Sequence, residues 1–169
     1  MRIHGLAPIL PQHARILILG SMPGAASLAS QQYYAHPRNA FWHIMLTLLK
    51  TPTNPFPSYQ TRRELLLTHG IAVWDVYRSC ERRGSLDSNI VRASAEPNDL
   101  KALLATQPTL HTIAANGGLA KQAYRRHWRD IPLPLLHLPS TSPANARQTI
   151  EEKLSAWSAL QPLQSMLRE

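Results

Sequence analysis

The sequence contains little cysteine, few acidic residues and no long apolar run. Cys80 is the only cysteine, which excludes an internal disulfide and a cysteine zinc site and makes a reducing cytoplasm the simplest location. No apolar run approaches the ~20 residues that a membrane span needs, and the first ten residues lack the pattern of a secretory signal. With 169 residues and 44% hydrophobic composition, we expect one monomeric domain over residues 1–169.

The shortage of acidic residues leaves a strong positive charge. Lys and Arg number 18 against 10 Asp and Glu, which gives a formal net charge of +8 and a pI of about 10.3. Fourteen of these cations are Arg and four are Lys. Because the guanidinium fork matches phosphate geometry, this composition favours a nucleic-acid partner. The alternative is that the charge serves only solubility.

Apolar segments of two kinds alternate along the chain and predict an α/β fold. Short apolar runs predict strands at 15–19, 71–76, 110–115 and 133–138. Helical spacing predicts helices at 39–49, 59–69, 98–106, 117–128 and 144–160, with a loop at 20–34 and irregular structure at 78–89. The alternation predicts a three-layer α/β/α domain around a mainly four-stranded parallel sheet. Ligands of such folds bind beyond the carboxyl ends of the strands, which selects the loops 20–39, 75–89, 116–118 and 139–147.

The loop after the first predicted strand reads GSMPGAASLASQQYYAHPRNAFW. Gly20, Pro23 and Gly24 predict a tight turn that brings backbone N–H groups close to a ligand. The loop has neither the G-x-G-x-x-G pattern nor a G-K-[ST] sequence, so it is neither a dinucleotide-binding fingerprint nor a P-loop.

The same loop ends with two aromatic residues and a capping residue. Tyr33 or Tyr34 can stack on a planar ligand, although ordinary packing would also explain the pair. Asn39 is a favourable N-cap for the following helix, and capping alone would account for it.

The loop after the last predicted strand reads LPSTSPANAR. Ser140, Thr141, Ser142 and Asn145 can donate hydrogen bonds, and backbone N–H groups at a helix start favour phosphate. Arg147 adds a cation. We predict that this loop binds DNA phosphates, and an ordinary helix entry is the alternative.

These two loops together resemble those of the uracil-DNA glycosylase superfamily, which has a G-x-x-P-G motif after its first strand and a Ser-Pro-rich motif after its last. YYAHPRNAFW resembles the F-A-H-P-x-N-x-F-W stretch of the mismatch-specific branch. GSMPGAASL, WDVYRSCERRGSLDSNI and the NGG at Asn116 are closer still to the hypoxanthine-DNA glycosylase branch. The resemblance spans roughly residues 14–160.

The resemblance implies a base-excision enzyme that flips a damaged nucleotide out of DNA and cleaves its N-glycosidic bond. Met22 stands where the uracil-specific branch has a water-positioning Asp and the mismatch branch an Asn. Asn39 of the Asn-x-Phe-Trp element would therefore be the catalytic residue, positioning water or the base. Ser21, Met22 and Pro23 would line the base site, and Tyr34 would stack on the base.

The resemblance leaves the roles of several other positions open. Asn116 could bind the base or only form a turn, and Asp75 and Asp87 could supplement Asn39 or only hold local structure. Ser140 replaces a His or Asn that is frequent in the superfamily. Ala144 replaces a bulky wedge residue, which predicts weak probing of the opposite base.

The two motifs contain no lysine, so we predict a monofunctional enzyme that leaves an abasic site. The eight histidines form no H-x-x-x-H pair on a predicted helix, so we expect no metal and no cofactor. The predicted partner is DNA containing a deaminated base, with deoxyinosine as the leading substrate. A mismatch uracil or thymine glycosylase and a non-catalytic nucleic-acid-binding protein are the alternatives.

Overall fold

The computed structural model describes residues 1–161. The strands in chain order are β1 (Arg2–His4), β2 (Ile16–Gly20), β3 (Ile71–Asp75), β4 (Tyr77–Glu81), β5 (Val91–Pro97), β6 (Thr112–Asn116) and β7 (Leu135–Leu138). The α-helices are α1 (Ala25–Ser30), α2 (Phe41–Leu48), α3 (Tyr59–Thr68), α4 (Leu100–Ala105), α5 (Gly118–His127) and α6 (Ile150–Trp157). Within this described part, no helix combines the length and the hydropathy of a bilayer span.

A parallel sheet of four strands, in the order β3-β2-β6-β7, forms the centre of the fold. Every residue of β2 and β6 is buried, as expected for strands covered on both faces. The predicted four-stranded parallel sheet is therefore confirmed.

Successive residues of β2 face opposite layers of the core. Ile16 and Ile18 pack in a cluster with Phe41 of α2, whereas Leu17 and Leu19 pack in a second cluster on the other face. The second cluster includes Tyr124 of α5. This division produces the three-layer α/β/α arrangement.

A second, antiparallel sheet in the order β1-β4-β5 was not predicted. The expectation of irregular structure at 78–89 was wrong over Tyr77–Glu81, which form β4. Polar residues hide this strand in the sequence, because Arg78 and Glu81 are exposed while Ser79 and Cys80 between them are buried. Its hydrogen-bonding partners are β1, which lies far earlier in the chain, and β5, which follows after a long loop.

Several predicted element boundaries also differ from the structure. The helix predicted at 39–49 begins at Phe41, and the helix predicted at 144–160 begins only at Ile150. Thr149 caps that last helix by accepting a hydrogen bond from the backbone N–H of Glu152, which fixes its start. The loop predicted at 20–34 contains α1.

The parallel arrangement brings the carboxyl ends of all four central strands to one edge of the sheet. Gly20 ends β2, Asp75 ends β3 and Asn116 ends β6. The loops that follow these strands and β7 therefore meet at this edge.

Candidate active site

A cavity of about 500 Å³ opens at the carboxyl edge of the parallel sheet. Its lining combines the turn after β2, the loop between β4 and β5, the end of β6 and the loop after β7. Among the residues predicted from the sequence, the lining contains Ser21, Met22, Pro23, Tyr34, Asn39, Asn116, Ser140, Thr141, Ser142 and Asn145. Arg147 is exposed and is not part of the lining.

Gly20 allows two polar side chains to converge at the bottom of this cavity. A Cβ atom at position 20 would clash with Oδ1 of Asp75 and would lie 3.2 Å from the hydroxyl of Tyr34. Only glycine leaves room for both groups at the end of β2.

The turn after β2 is held in place by the loop that joins β4 to β5. Ser21 Oγ donates a hydrogen bond to Oδ2 of Asp87. Arg82 Nη2 donates to the backbone carbonyl of Pro23 at 2.7 Å, and the Arg82 side chain is itself buried. Met22, which lies between Ser21 and Pro23, is also buried. None of these three residues is charged, so the turn presents no charged side chain to the cavity.

The two adjacent tyrosines have different surroundings. Tyr33 is 3% exposed, and its hydroxyl donates to the backbone carbonyls of Leu6 and Ala7, so it anchors the core. Tyr34 has a left-handed backbone conformation with φ of 54° and stacks on Phe41, with ring centroids 4.0 Å apart. The hydroxyl of Tyr34 is buried without a hydrogen-bond partner in the described chain. Of the two tyrosines, Tyr34 is therefore the one whose hydroxyl has no hydrogen-bond partner within residues 1–161.

Asn39 lies in the lining just before α2, but it is not the N-cap residue of that helix. Ala40 occupies the N-cap position and makes no side-chain capping bond. Oδ1 of Asn39 nevertheless accepts a hydrogen bond from the backbone N–H of Phe41 at 3.0 Å. This contact engages the oxygen and leaves the NH₂ group as the donor that Asn39 can offer to the cavity.

Asn116 and Thr141 form a reciprocal pair of hydrogen bonds. Nδ2 of Asn116 donates to Oγ1 of Thr141, and the backbone N–H of Thr141 donates to Oδ1 of Asn116, both at 3.0 Å. The carbonyl of Thr141 accepts from the backbone N–H of Ala40. Thr141 is 1% exposed, so its side chain faces the protein interior and is not available to a DNA phosphate, contrary to the sequence prediction.

The rest of the loop after β7 is held by its own hydrogen bonds. The backbone N–H of Ser142 donates to Oγ of Ser140, and Nδ2 of Asn145 donates to the carbonyl of Ser140 at 3.1 Å. Ala144 and Arg147 are exposed. Because α6 begins at Ile150, these residues form a loop rather than a helix start, which corrects the predicted setting of Arg147.

Sequence reasoning gave too little weight to Asp75. This carboxyl is 5% exposed, lines the cavity and leaves Oδ2 without a hydrogen-bond partner within residues 1–161. Burial raises the pKa of Asp75 to about 7, the neighbouring carboxylate of Asp87 acts in the same direction, and Arg82 opposes both. The signal in the sequence was its position as the last residue of a buried parallel strand.

Asp87 is the second carboxyl at the cavity. Burial raises its pKa, while the hydrogen bond from Ser21 and the positive charge of Arg82 lower it. Unlike Asp75, it therefore has a side-chain partner that favours its ionised form.

Lys153 was also missed as a neighbour of the site. Its buried amine donates to the carbonyl of Ser142 at 3.4 Å, and burial lowers the pKa of Lys153. It is not part of the cavity lining.

Comparison with known proteins identifies the family to which this protein belongs. The sequence profile of the Uracil DNA glycosylase superfamily matches residues 7–161. The chain belongs to this superfamily. This result confirms the resemblance stated from the two loops.

Individual relatives agree with this assignment. The chain is 32% identical over 157 residues to a protein of Methanosarcina barkeri named hypoxanthine DNA glycosylase, covering 93% of this chain and 96% of that protein. A protein of the same name from Methanosarcina acetivorans is 33% identical over 156 residues, covering 92% and 96%. The solution NMR structure of a candidate uracil DNA glycosylase from Methanosarcina acetivorans superposes with a TM-score of 0.83 at 33% identity, covering 96% of this chain and 99% of that one.

Membership of the uracil DNA glycosylase superfamily makes the protein a DNA glycosylase and makes DNA its substrate. A DNA glycosylase must take its target base out of the helix before it cleaves the bond between base and sugar. The cavity has the volume of a small-molecule pocket and lies where α/β folds bind ligands. Among residues 1–161, no three His, Cys, Asp or Glu side chains are grouped to hold a metal ion.

Proposed function

We propose that the protein hydrolyses the N-glycosidic bond of deoxyinosine in DNA, releases hypoxanthine and leaves an abasic site. The observation that carries this proposal is that the Asn39 amide lines the same cavity as the turn after β2. This turn contains Met22 and no acidic side chain. Two relatives at 32% and 33% identity that are named hypoxanthine DNA glycosylase support the choice of base.

In this proposal the flipped base enters the cavity and stacks on Tyr34. Phe41 covers one face of the Tyr34 ring and fixes its orientation. The backbone N–H groups of Ser21 and Met22 face the base, whereas Pro23 has no N–H and shapes the turn. They stabilise the negative charge that develops on it as the bond to the sugar breaks.

Asn39 acts on the sugar side of the reaction. An amide cannot remove a proton from water, so Asn39 cannot be a general base. Its NH₂ group can instead hold the water or the base in position while the bond breaks and positive charge develops on the sugar. The contact with Phe41 fixes the amide for this task.

The loop after β7 supports DNA binding in two ways. Ser140, Ser142 and Asn145 line the cavity mouth, whereas the exposed Arg147 is placed to meet a phosphate outside it. Asn116 and Thr141 hold this loop in position.

The proposed enzyme is monofunctional. A lyase reaction needs a free amine beside the sugar, and none of the described lining residues is a lysine. Lys153 lies nearby, but its amine is directed to the carbonyl of Ser142.

The test uses end-labelled duplexes that contain one inosine, one uracil or neither. We expect strand breaks in the inosine duplex only after alkali treatment, at the same yield with and without EDTA, and none with Asn39→Ala prepared in parallel. Strand breaks without alkali would overturn the monofunctional assignment. Release of uracil alone would favour a mismatch uracil glycosylase, and binding of all duplexes without release would favour a non-catalytic protein.

A further inference from the structure

We propose that Arg82 is a positioning residue of the cleavage step, whose buried positive charge stabilises the departing base through the peptide between Pro23 and Gly24. This inference rests on the proposed function in one respect, which is that the occupant of the cavity is a base that leaves its sugar as an anion. It adds a cation to a turn that has no charged side chain of its own.

Arg82 is a buried cation that forms no ion pair in the described chain. The residue is 6% exposed, and the cations in ion pairs among residues 1–161 are Arg2, Arg78 and Lys101. Nη1 of Arg82 is also buried without a hydrogen-bond partner in this part of the chain. A buried charge without a paired carboxylate is costly, so its presence beside a cavity leaves positive charge available to a negatively charged ligand.

The guanidinium lies behind the turn after β2. Nη2 of Arg82 donates to the carbonyl of Pro23 at 2.7 Å, and Nε donates to the carbonyl of Gly84 at 2.8 Å. Pro23 and Gly24 belong to the cavity lining, whereas Arg82 does not. The turn therefore separates the guanidinium from the base, and Arg82 can act on the base only through the turn.

The peptide between Pro23 and Gly24 can transmit the charge. The C=O and N–H groups of a planar trans peptide point in opposite directions, so a Pro23 carbonyl directed at Arg82 leaves the N–H of Gly24 directed away from it. Because Gly24 lines the cavity, this N–H lies on the cavity side of the turn. A charged donor on the carbonyl polarises the peptide and makes its N–H a stronger hydrogen-bond donor.

The carboxyl groups of the cavity already respond to the charge of Arg82. It lowers the pKa of both Asp75 and Asp87, against the burial that raises them. Asp75 approaches from the end of β3 and Asp87 from the loop between β4 and β5. Burial raises the pKa of Tyr34, so this third titratable neighbour is uncharged. The described lining contains no lysine or arginine, so the positive charge has to come from outside it.

The cleavage step produces the anion that this charge would stabilise. When the bond between base and sugar breaks, its electron pair stays on the base nitrogen and the sugar becomes a cation. Water attacks the sugar cation and loses a proton, and a proton finally neutralises the base. A fixed positive charge near the turn lowers the barrier because it acts on the negative charge as that charge develops.

The experiment measures the ionisation of a bound base and does not depend on its release from DNA. The probe is ¹⁵N-labelled hypoxanthine, added to the protein together with a duplex that carries a tetrahydrofuran abasic site. Nitrogen chemical shifts measured from pH 6 to pH 9.5 give the pKa of the bound base. Labelled uracil is the second probe.

We expect wild-type protein to bind the anion of hypoxanthine about 10- to 100-fold more tightly than the neutral base, seen as a lower pKa of the bound base. Arg82→Gln should lose most of this preference and should slow single-turnover excision from an inosine duplex by a similar factor. Arg82→Lys keeps the charge and should keep most of the preference. Asp87→Asn removes an opposing negative charge and should increase the preference for the anion.

Two control variants separate the charge from its structural contacts. Arg83→Gln removes an exposed arginine next to Arg82 and should keep the wild-type preference, because solvent screens that charge. Ser85→Ala removes the hydroxyl that accepts from the backbone N–H of Ala25 at 2.8 Å, so it loosens the same loop from the turn without a change of charge. It should also keep the preference for the anion.

Thermal melting of each variant checks that it is folded. If Arg82→Gln does not fold, Arg82→Lys and Asp87→Asn decide the matter, because the charge predicts a preserved preference in the first and an increased one in the second.

Several results would overturn the assignment of Arg82. One is an Arg82→Gln variant that keeps the wild-type preference, and another is a Ser85→Ala or Arg82→Lys variant that loses it as fully as Arg82→Gln. A weaker preference in Asp87→Asn than in wild type would have the same meaning, as would wild-type protein that binds neither base preferentially as an anion.

The two proposals can fail separately. If the preference follows the charge as expected but wild-type protein releases no hypoxanthine from DNA, the proposed reaction fails and Arg82 still stabilises a bound anion. Release of hypoxanthine by a protein without any preference for the anion gives the opposite result.

Discussion

Asn116, the last residue of β6, and Thr141, in the loop after β7, are joined by two hydrogen bonds of 3.0 Å. Both residues are buried, so each bond is shielded from water. The pair fixes the position of the loop that follows β7 relative to the end of β6. The same loop is joined to α2, because the carbonyl of Thr141 accepts from Ala40.

Asn116→Ala should destabilise the protein by about 1–3 kcal/mol, because it leaves the backbone N–H and the hydroxyl of Thr141 buried without partners. Thr141→Val should cost less, since the backbone bond to Asn116 remains. Urea unfolding of the two variants measures the difference. Equal stability of Asn116→Ala and wild type would show that the pair contributes nothing to folding.

Asn39→Asp separates the structural contact of Asn39 from its proposed catalytic role. The variant keeps the oxygen that accepts from Phe41, so the melting temperature should stay at the wild-type value. It loses the NH₂ donor and places a negative charge near the departing base, so single-turnover excision from an inosine duplex should fall about 10²–10³-fold.

Asn39→Ala is the matched control for this comparison. It should lose activity and also roughly 1 kcal/mol of stability, because the contact with Phe41 is lost as well. Wild-type melting together with wild-type excision in Asn39→Asp would reject the catalytic assignment and leave only the structural contact.

Arg147→Ala tests the proposed phosphate contact of the loop after β7. The side chain is exposed and outside the cavity, so its loss should weaken binding to all duplexes about equally. The slope of log affinity against log salt should become shallower by ~1. Lys50→Ala provides an exposed cation at the end of α2 for comparison. An unchanged slope in Arg147→Ala would exclude the contact.

The stability of the protein should depend on pH through Asp75. Burial raises the pKa of Asp75 to about 7 in the folded chain, whereas the unfolded value is about 4. The folded state therefore holds the proton more tightly. The contribution of Asp75 to the free energy of unfolding is full below about pH 4 and is lost as the pH rises to about 7, by up to roughly 4 kcal/mol.

Asp75→Asn should remove this part of the pH dependence, because an amide does not titrate. Urea unfolding at pH 5 and pH 8 measures it, with Asp130→Asn as the exposed control. If wild type and Asp75→Asn lose stability equally between the two pH values, Asp75 is not the group responsible.

The central sheet could be predicted from the sequence because its inner strands β2 and β6 are buried on both faces. Ile16–Gly20 is a short continuous apolar run that contains β-branched residues and ends in glycine, which is typical of a buried strand. The antiparallel sheet could not be predicted in the same way. Tyr77–Glu81 is partly exposed and polar, and it forms a strand by pairing with Arg2–His4 near the start of the chain and with Val91–Pro97.

The candidate site was predictable as a set of loops but not as a set of contacts. The rule that ligands bind at the carboxyl ends of parallel strands predicts from the sequence that Tyr34, Asn39 and Asn116 lie close together. The same rule could not show that Thr141 is buried or that Arg147 lies outside the cavity. Those facts depend on the hydrogen bonds of one irregular loop, for which residue type is a poor guide.

The hydrogen bond from Arg82 to the carbonyl of Pro23 joins the β4–β5 hairpin to the turn after β2, and it therefore links two parts of the cavity wall. One wall of the cavity comes from the β4–β5 hairpin, which belongs to the antiparallel sheet, whereas Asn39 and Asn116 are positioned by the parallel sheet and its neighbouring helix. Substitutions at Arg82 or Asp87 would release the turn after β2 as well as reshape this wall, because both residues hold that turn through hydrogen bonds. The hairpin therefore sets the shape of the cavity and the position of the turn together, and the two cannot be altered independently at these residues.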